Sequence, residues 1–198
     1  MMRTFKLALV LSAIALVAAC AKAPQAAIDS ANSALEAAKT AEAPEYAPEA
    51  WTLAQDSLNS AMTEVNAQNE KFALTRSYDQ ASQLLDKATQ AANAAAGEAA
   101  KAKEAAKGRA EAGLNEAQAA LDAAKTALTT APKGKGTEAD LMAMQGELDA
   151  MTATLETARQ SFANGKYLQA ETSATSVRDQ ANAIAADIAQ ARGKKKAT

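Results

Sequence analysis

One cysteine carries the most evident covalent chemistry in this chain. Cys20 closes the run Val17-Ala18-Ala19-Cys20, and no second cysteine exists to pair with it. An internal disulfide is therefore excluded. Histidine is absent altogether. That removes Ser-His-Asp and Cys-His nucleophilic catalysis and the usual structural zinc sites. No Gly-x-Gly-x-x-Gly, Walker loop or calcium loop occurs, and those are the patterns that cradle phosphate or hard cations. Carboxylates remain, and two of them could in principle cleave a glycosidic bond. None lies in an apolar stretch that would raise its pKa, so the chain reads as no enzyme, and no cofactor or metal is expected.

Upstream of Cys20 stand Arg3 and Lys6, then the apolar run Leu7 to Ala19. Early positive charge followed by a short apolar run and small residues is the pattern of an export signal. About 13 apolar residues is short for a bilayer crossing, which needs roughly 20. Val17-Ala18-Ala19-Cys20 resembles a bacterial lipobox. That resemblance implies cleavage before Cys20, acyl chains on it, and a membrane anchor at that residue. Each buried methylene adds about 0.8 kcal/mol to such an anchor. Ala21, in place of the aspartate that retains lipoproteins in the inner membrane, implies the periplasmic face of the outer membrane. The plainer alternative is a secretory signal with an incidental cysteine. Cleavage leaves Cys20 to Thr198, 179 residues with a formal charge of -4. So mild and mixed a charge makes no case for nucleic acid.

The elements that hold these residues are helices. Alanine fills 57 of 198 positions, has the best intrinsic helix propensity and buries little area per residue. Thin, closely approached helical seams are expected. A tether at 20–27 leads into a helix over about 26–43, stopped by Pro44 and Pro48. A second helix begins near Pro48. Its stripe is Trp51, Leu58, Val65 and Phe72, seven residues apart, widened by Leu53 and Met62. Ser77 is placed as an N-cap of a third helix, whose inner face reads Tyr78, Ala81, Leu85, Ala88, Ala92, Ala95, Ala99, Ala102 and Ala106.

From Asp86 to Gly113 the chain has 28 residues and no apolar side chain larger than alanine. The stripe is read as keeping phase through this stretch, so Tyr78 to Ala131 forms one helix of roughly 80 Å, weakened only by Gly97, Gly108 and Gly113. Pro132 to Gly136 ends it. Thr137 with Asp140 approximates a capping box. The next helix carries Leu141, Leu148, Leu155 and Phe162 and stops at Asn164-Gly165. The last spans about 166–191, with a frayed basic tail over 193–198.

These elements occur twice. Ala34-Leu-Glu-Ala-Ala-Lys-Thr-Ala41 returns as Ala120-Leu-Asp-Ala-Ala-Lys-Thr-Ala127, and the Trp51 to Phe72 stripe returns as Leu141 to Phe162. Tyr78-Asp-Gln-Ala81 returns as Tyr167-Leu-Gln-Ala170. Short connections favour antiparallel neighbours. The expected fold is all-α: an elongated antiparallel helical bundle of two three-helix units, 28–100 and 101–192, joined by one long shared helix.

Three family resemblances accompany this reading. A helix passing from one three-helix unit into the next is similar in plan to spectrin. Phe162-Ala-Asn-Gly-Lys-Tyr167-Leu-Gln-Ala170 resembles the hairpin junction of tetratricopeptide repeats. The lipobox, the alanine-rich helices and the elements Ala43-Pro-Glu-Tyr-Ala-Pro-Glu-Ala50 and Tyr-x-x-Ala resemble small bacterial envelope lipoproteins grouped as domain of unknown function number 4398. That last resemblance implies an envelope location and brings no catalytic residue.

Function classes then narrow to three. The first is a non-catalytic lipoprotein serving as a scaffold or interaction module for another envelope component, with Tyr46 and Trp51 as the candidate interaction surface. For Trp51 the competing reading is core or rim packing. The second is a periplasmic carrier or chaperone-like module that binds apolar ligands or chains in an interhelical groove. The third is a peptidoglycan spacer touching the polymer through Lys194 to Lys196. Oligomeric state is left open by the sequence.

Overall fold

The computed structural model describes residues 22–132 and 137–196. Cys20 and the signal segment 1–19 lie outside the described residues. Among the described residues six α-helices follow one another: α1 Gln25–Thr40, α2 Ala43–Tyr46, α3 Pro48–Glu70, α4 Asp79–Thr129, α5 Glu138–Ala163 and α6 Tyr167–Lys196, with a short 3-10 turn at Ala73–Thr75. The fold is all-α. The chain divides into two compact units between Ala102 and Lys103, inside α4. α4 itself is assigned as one helix of 51 residues.

The breaks fall where local chemistry demands them. α1 stops at Thr40, and the backbone N–H of Glu42 turns back to the Lys39 carbonyl. Glu42 takes φ 61°, the left-handed region that non-glycine residues seldom adopt. Pro44 then sits in the first turn of α2 and Pro48 in the first turn of α3, where a missing N–H costs nothing. Two expected caps do not form. Thr137 makes no capping hydrogen bond to α5, because its own backbone is already in the αR region. Ser77 lies one residue short of the cap position, since α4 starts at Asp79. At the other end α6 continues to Lys196, so the basic segment expected to fray is helical that far.

In unit 1, α1, α3 and the first half of α4 pack around two layers. One joins Ala34, Ala54 and Ala92. The other joins Ile28, Leu58, Val65, Tyr78 and Leu85. Going from the first layer to the second, the numbering falls along α1 and α4 and rises along α3. α1 and α4 are therefore parallel to each other and antiparallel to α3. Large side chains fill one end of this unit and alanines the other.

Unit 2 has the fuller core. Leu114, Leu121 and Leu128 of α4 meet Leu148, Met151 and Leu155 of α5 and Val177, Ile184 and Ile188 of α6. A Cβ built on Gly113 would lie 3.6 Å from the Ala174 Cβ, so α4 and α6 approach closely there. Cross-helix polar pairs give the direction. Arg109 pairs with Glu171 at 2.7 Å and Arg178 with Glu116 at 2.8 Å. Arg192 donates to Thr130 and to the Ala127 carbonyl near the end of α4. The pairs 109/171, 116/178 and 130/192 share one sequence offset of 62 and are spaced by whole heptads. α4 and α6 thus run parallel, while Arg159 to Gln118 places α5 against them.

The inner face read for the third helix is buried from Tyr78 to Ala106, with Ala102 half-buried. It does not keep a strict heptad phase. Beyond Ala106 the buried positions of α4 are Ala110, Leu114, Ala117, Ala120, Leu121, Ala124 and Leu128. From Ala99 to Leu114 the steps run three, four, four, four, which is fifteen residues in four turns. A 3.5-residue stripe drifts one way around a straight helix of 3.6 residues per turn, and a stripe above 3.6 drifts the other way.

Candidate interaction surface

The turn between α3 and α4 is fixed by polar side chains. Arg76 donates from Nε to the Lys71 carbonyl at 2.9 Å and from Nη2 to the Asn69 carbonyl at 2.8 Å. A cation on the last carbonyls of a helix satisfies orphan acceptors and complements the dipole. Gln68 is buried; its Nε2 donates to Glu64 at 2.8 Å and its Oε1 accepts from the Ser77 N–H at 3.1 Å. The Tyr78 hydroxyl donates to Asn69 Oδ1 at 2.6 Å. Ser77 donates to Asp79 at 3.1 Å instead of capping α4. Between these ties the chain turns outward, and Phe72 and Leu74 stand 71% and 62% exposed.

The second copy closes the same junction differently. Asn164 and Gly165 end α5, with Gly165 at φ 77° and the Lys166 N–H returning to the Ser161 carbonyl. Only a residue tolerant of positive φ permits so tight a turn. Phe162 stays half-buried and packs on Tyr167, ring centroids 5.2 Å apart. The first copy has no glycine there. α3 ends at Glu70, two residues before Phe72, and the aromatic ring falls outside the core.

The residues singled out from sequence are scattered. Cys20 lies outside the described residues. Tyr46 is only 8% exposed, enclosed in the α2 corner with buried Ala43 and Ala47. Tyr46, expected on the candidate interaction surface, is therefore corrected to a buried residue: the four-residue helix Ala43–Tyr46 turns its ring inward. Trp51 is half-buried, on the rim at the start of α3. Leu53, expected to widen the buried stripe, is 63% exposed. The two aromatics do not form one exposed patch.

Concavities along the described residues include a small cleft and an open depression. An apolar cleft of about 110 Å³ sits between Leu141, Met144 and Ile188, with Asp140 and Asp187 at its lining. A wider depression of about 560 Å³ runs along Ser77, Gln80, Gln83 and Lys87 and is open and polar. No group of three or more His, Cys, Asp or Glu residues gathers to hold a metal among the described residues. None of their helices is long and apolar enough to cross a membrane. Two arginines of unit 2 are shifted by their carboxylate partners. The hydrogen bond and charge of Glu171 raise Arg109 above the usual guanidinium value, and Glu116 and Asp179 do the same for Arg178.

Comparison with family models, with curated proteins and with solved structures finds no match to the chain.

Proposed function

We propose that the chain is a non-catalytic, lipid-anchored envelope protein whose two helical units act as a scaffold or interaction module for another envelope component. The observation that carries this reading is the side-chain-filled seam of α4. Its inward alanines and leucines are buried through both units. A helix filled in this way is a strut, not the wall of a binding chamber. The lipobox-like Val17-Ala18-Ala19-Cys20 supplies the anchor, five residues before α1 begins at Gln25.

The carrier reading has less to draw on. Ligand sites for drug-sized molecules run to about 300–1,000 Å³, against about 110 Å³ for the apolar cleft beside Leu141 and Ile188. The scaffold reading is tested by crosslinking intact envelopes of cells carrying the wild-type chain or Cys20→Ser. The wild-type chain is expected in the membrane fraction with a discrete crosslinked partner, and Cys20→Ser in the soluble fraction without it. Identical fractionation of the two chains would overturn the anchor. A crosslinked wild-type chain that carries bound lipid or unfolded client protein would move the assignment to the carrier.

A further inference from the structure

We propose that the α3–α4 turn is a second, non-covalent membrane contact, in which a lipid bilayer surface covers Phe72 and Leu74. The inference rests on the lipid-anchor reading and adds to it a docked orientation for unit 1.

Three observations converge on this turn. The first is its place in the fold. α1 and α4 are parallel and α3 antiparallel, so the start of α1 and the end of α3 share one end of unit 1. Ala23 packs against the cluster that holds Val65 and Tyr78 at that end. Cys20 is two residues before Lys22, a span of at most about 7 Å of chain. An acylated Cys20 in a bilayer therefore brings this end of the unit to the headgroups.

The second is chemistry. Phe72 and Leu74 project from a turn whose flanks carry Lys71 and Arg76, and Lys22 is exposed at the same end. Exposed apolar side chains with basic residues close by in the chain suit the headgroup boundary, where apolar groups sink and basic ones meet anionic lipid. Glu70 and Asp79 also lie on these flanks, so the fit is apolar first and electrostatic second. The Arg76, Gln68 and Tyr78 hydrogen bonds hold the turn in place. Presenting the two side chains then costs little further ordering.

The third is the contrast between copies. The second copy tucks Phe162 against Tyr167, while the copy nearest the anchor leaves Phe72 exposed. The same heptad position is thus covered by protein in one unit and left for another surface in the other.

Quenching by lipid tests the contact. The full lipidated chain carrying Trp51→Phe with Phe72→Trp is reconstituted into phosphatidylethanolamine/phosphatidylglycerol vesicles containing lipid brominated near the headgroup end of its acyl chains. The unaltered chain, whose only tryptophan is Trp51, is the control; α3 separates the two positions by roughly 30 Å. A parallel chain with Trp51→Phe and Leu74→Trp guards against a local effect of the first variant, and circular dichroism checks that each is folded. Several-fold stronger quenching at positions 72 and 74 than at Trp51 is expected. Equal, weak quenching in a chain that still floats with vesicles would leave the anchor standing and overturn the contact. If the wild-type chain fractionates like Cys20→Ser, the anchor falls and the contact falls with it. Tryptophan shielded from aqueous acrylamide but indifferent to brominated lipid would mean that protein covers the turn, and would also overturn the proposal.

Discussion

Replacing Gly97 and Gly108 by alanine should stabilise the protein. Both lie inside α4, and a Cβ at either would meet nothing within 4 Å. Their cost is thus the intrinsic one of glycine in a helix interior, about 1 kcal/mol each relative to alanine. The sites are eleven residues apart and share no partner, so the two gains should add to about 2 kcal/mol. Urea unfolding followed by far-ultraviolet circular dichroism gives the readout. With a slope of about 2 kcal/mol per molar, the double variant should shift the midpoint of the transition that involves α4 by about 1 M. Gly165→Ala is the opposite control. At φ 77° an alanine costs about 1–2 kcal/mol, and the midpoint should fall. If Gly165→Ala falls as expected while Gly97→Ala and Gly108→Ala are neutral or destabilising, the continuity of α4 through the join is refuted.

Three further outcomes follow from the packing. Leu85→Ala and Leu148→Ala, each fully buried in a different unit, should each cost about 2–5 kcal/mol, read as a lowered unfolding midpoint. Gln68→Ala strips the buried partner of the Ser77 N–H; Ser77 is exposed, so water replaces the lost acceptor and the cost should be about 0.5–1.5 kcal/mol, with faster amide exchange at Ser77 as its signature. Arg178→Ala, by contrast, removes an exposed pair with Glu116, and such pairs are worth about 0–1 kcal/mol. Its effect should shrink further at high salt.

Much of the architecture was legible because it depends on spacing. Prolines at 44 and 48, the heptads at Leu58/Val65 and Leu148/Leu155, and the alanine stripe through Ala81 to Ala99 all act locally and repeat. What sequence did not reveal depends on how a chain turns. Phe72 sits on the heptad of α3, yet the helix ends at Glu70 because Gln68, Asn69 and Arg76 tie up its terminus from across the turn. Tyr46, expected on an interaction surface, is buried, since a helix of one turn is too short to leave a period. The strict phase expected across Gly108 fails because alanine at nearly every position of a stripe makes a one-residue slip invisible in sequence. The junction signal was present in part: a glycine at Gly165 and none in the matching first-copy segment marks where the copies diverge.

The offset of 62 between α4 and α6 has a consequence for alignment errors. Leu114, Leu121 and Leu128 recur every seven residues along α4, so a slide of seven puts leucine where leucine was, and packing alone is a weak judge of the correct pairing. The charges are arranged to reject both slides. Arg109 and Glu171 face each other with arginine on α4, while Glu116 and Arg178 face each other with arginine on α6. Slide α6 seven residues one way and Arg109 meets Arg178. Slide it the other way and Glu116 meets Glu171. Like charges face each other in either misalignment, at a cost comparable to what the native pairs contribute. The alternating order of two exposed salt bridges, each of small worth to stability, thus discriminates one vernier setting of the bundle from its two nearest impostors.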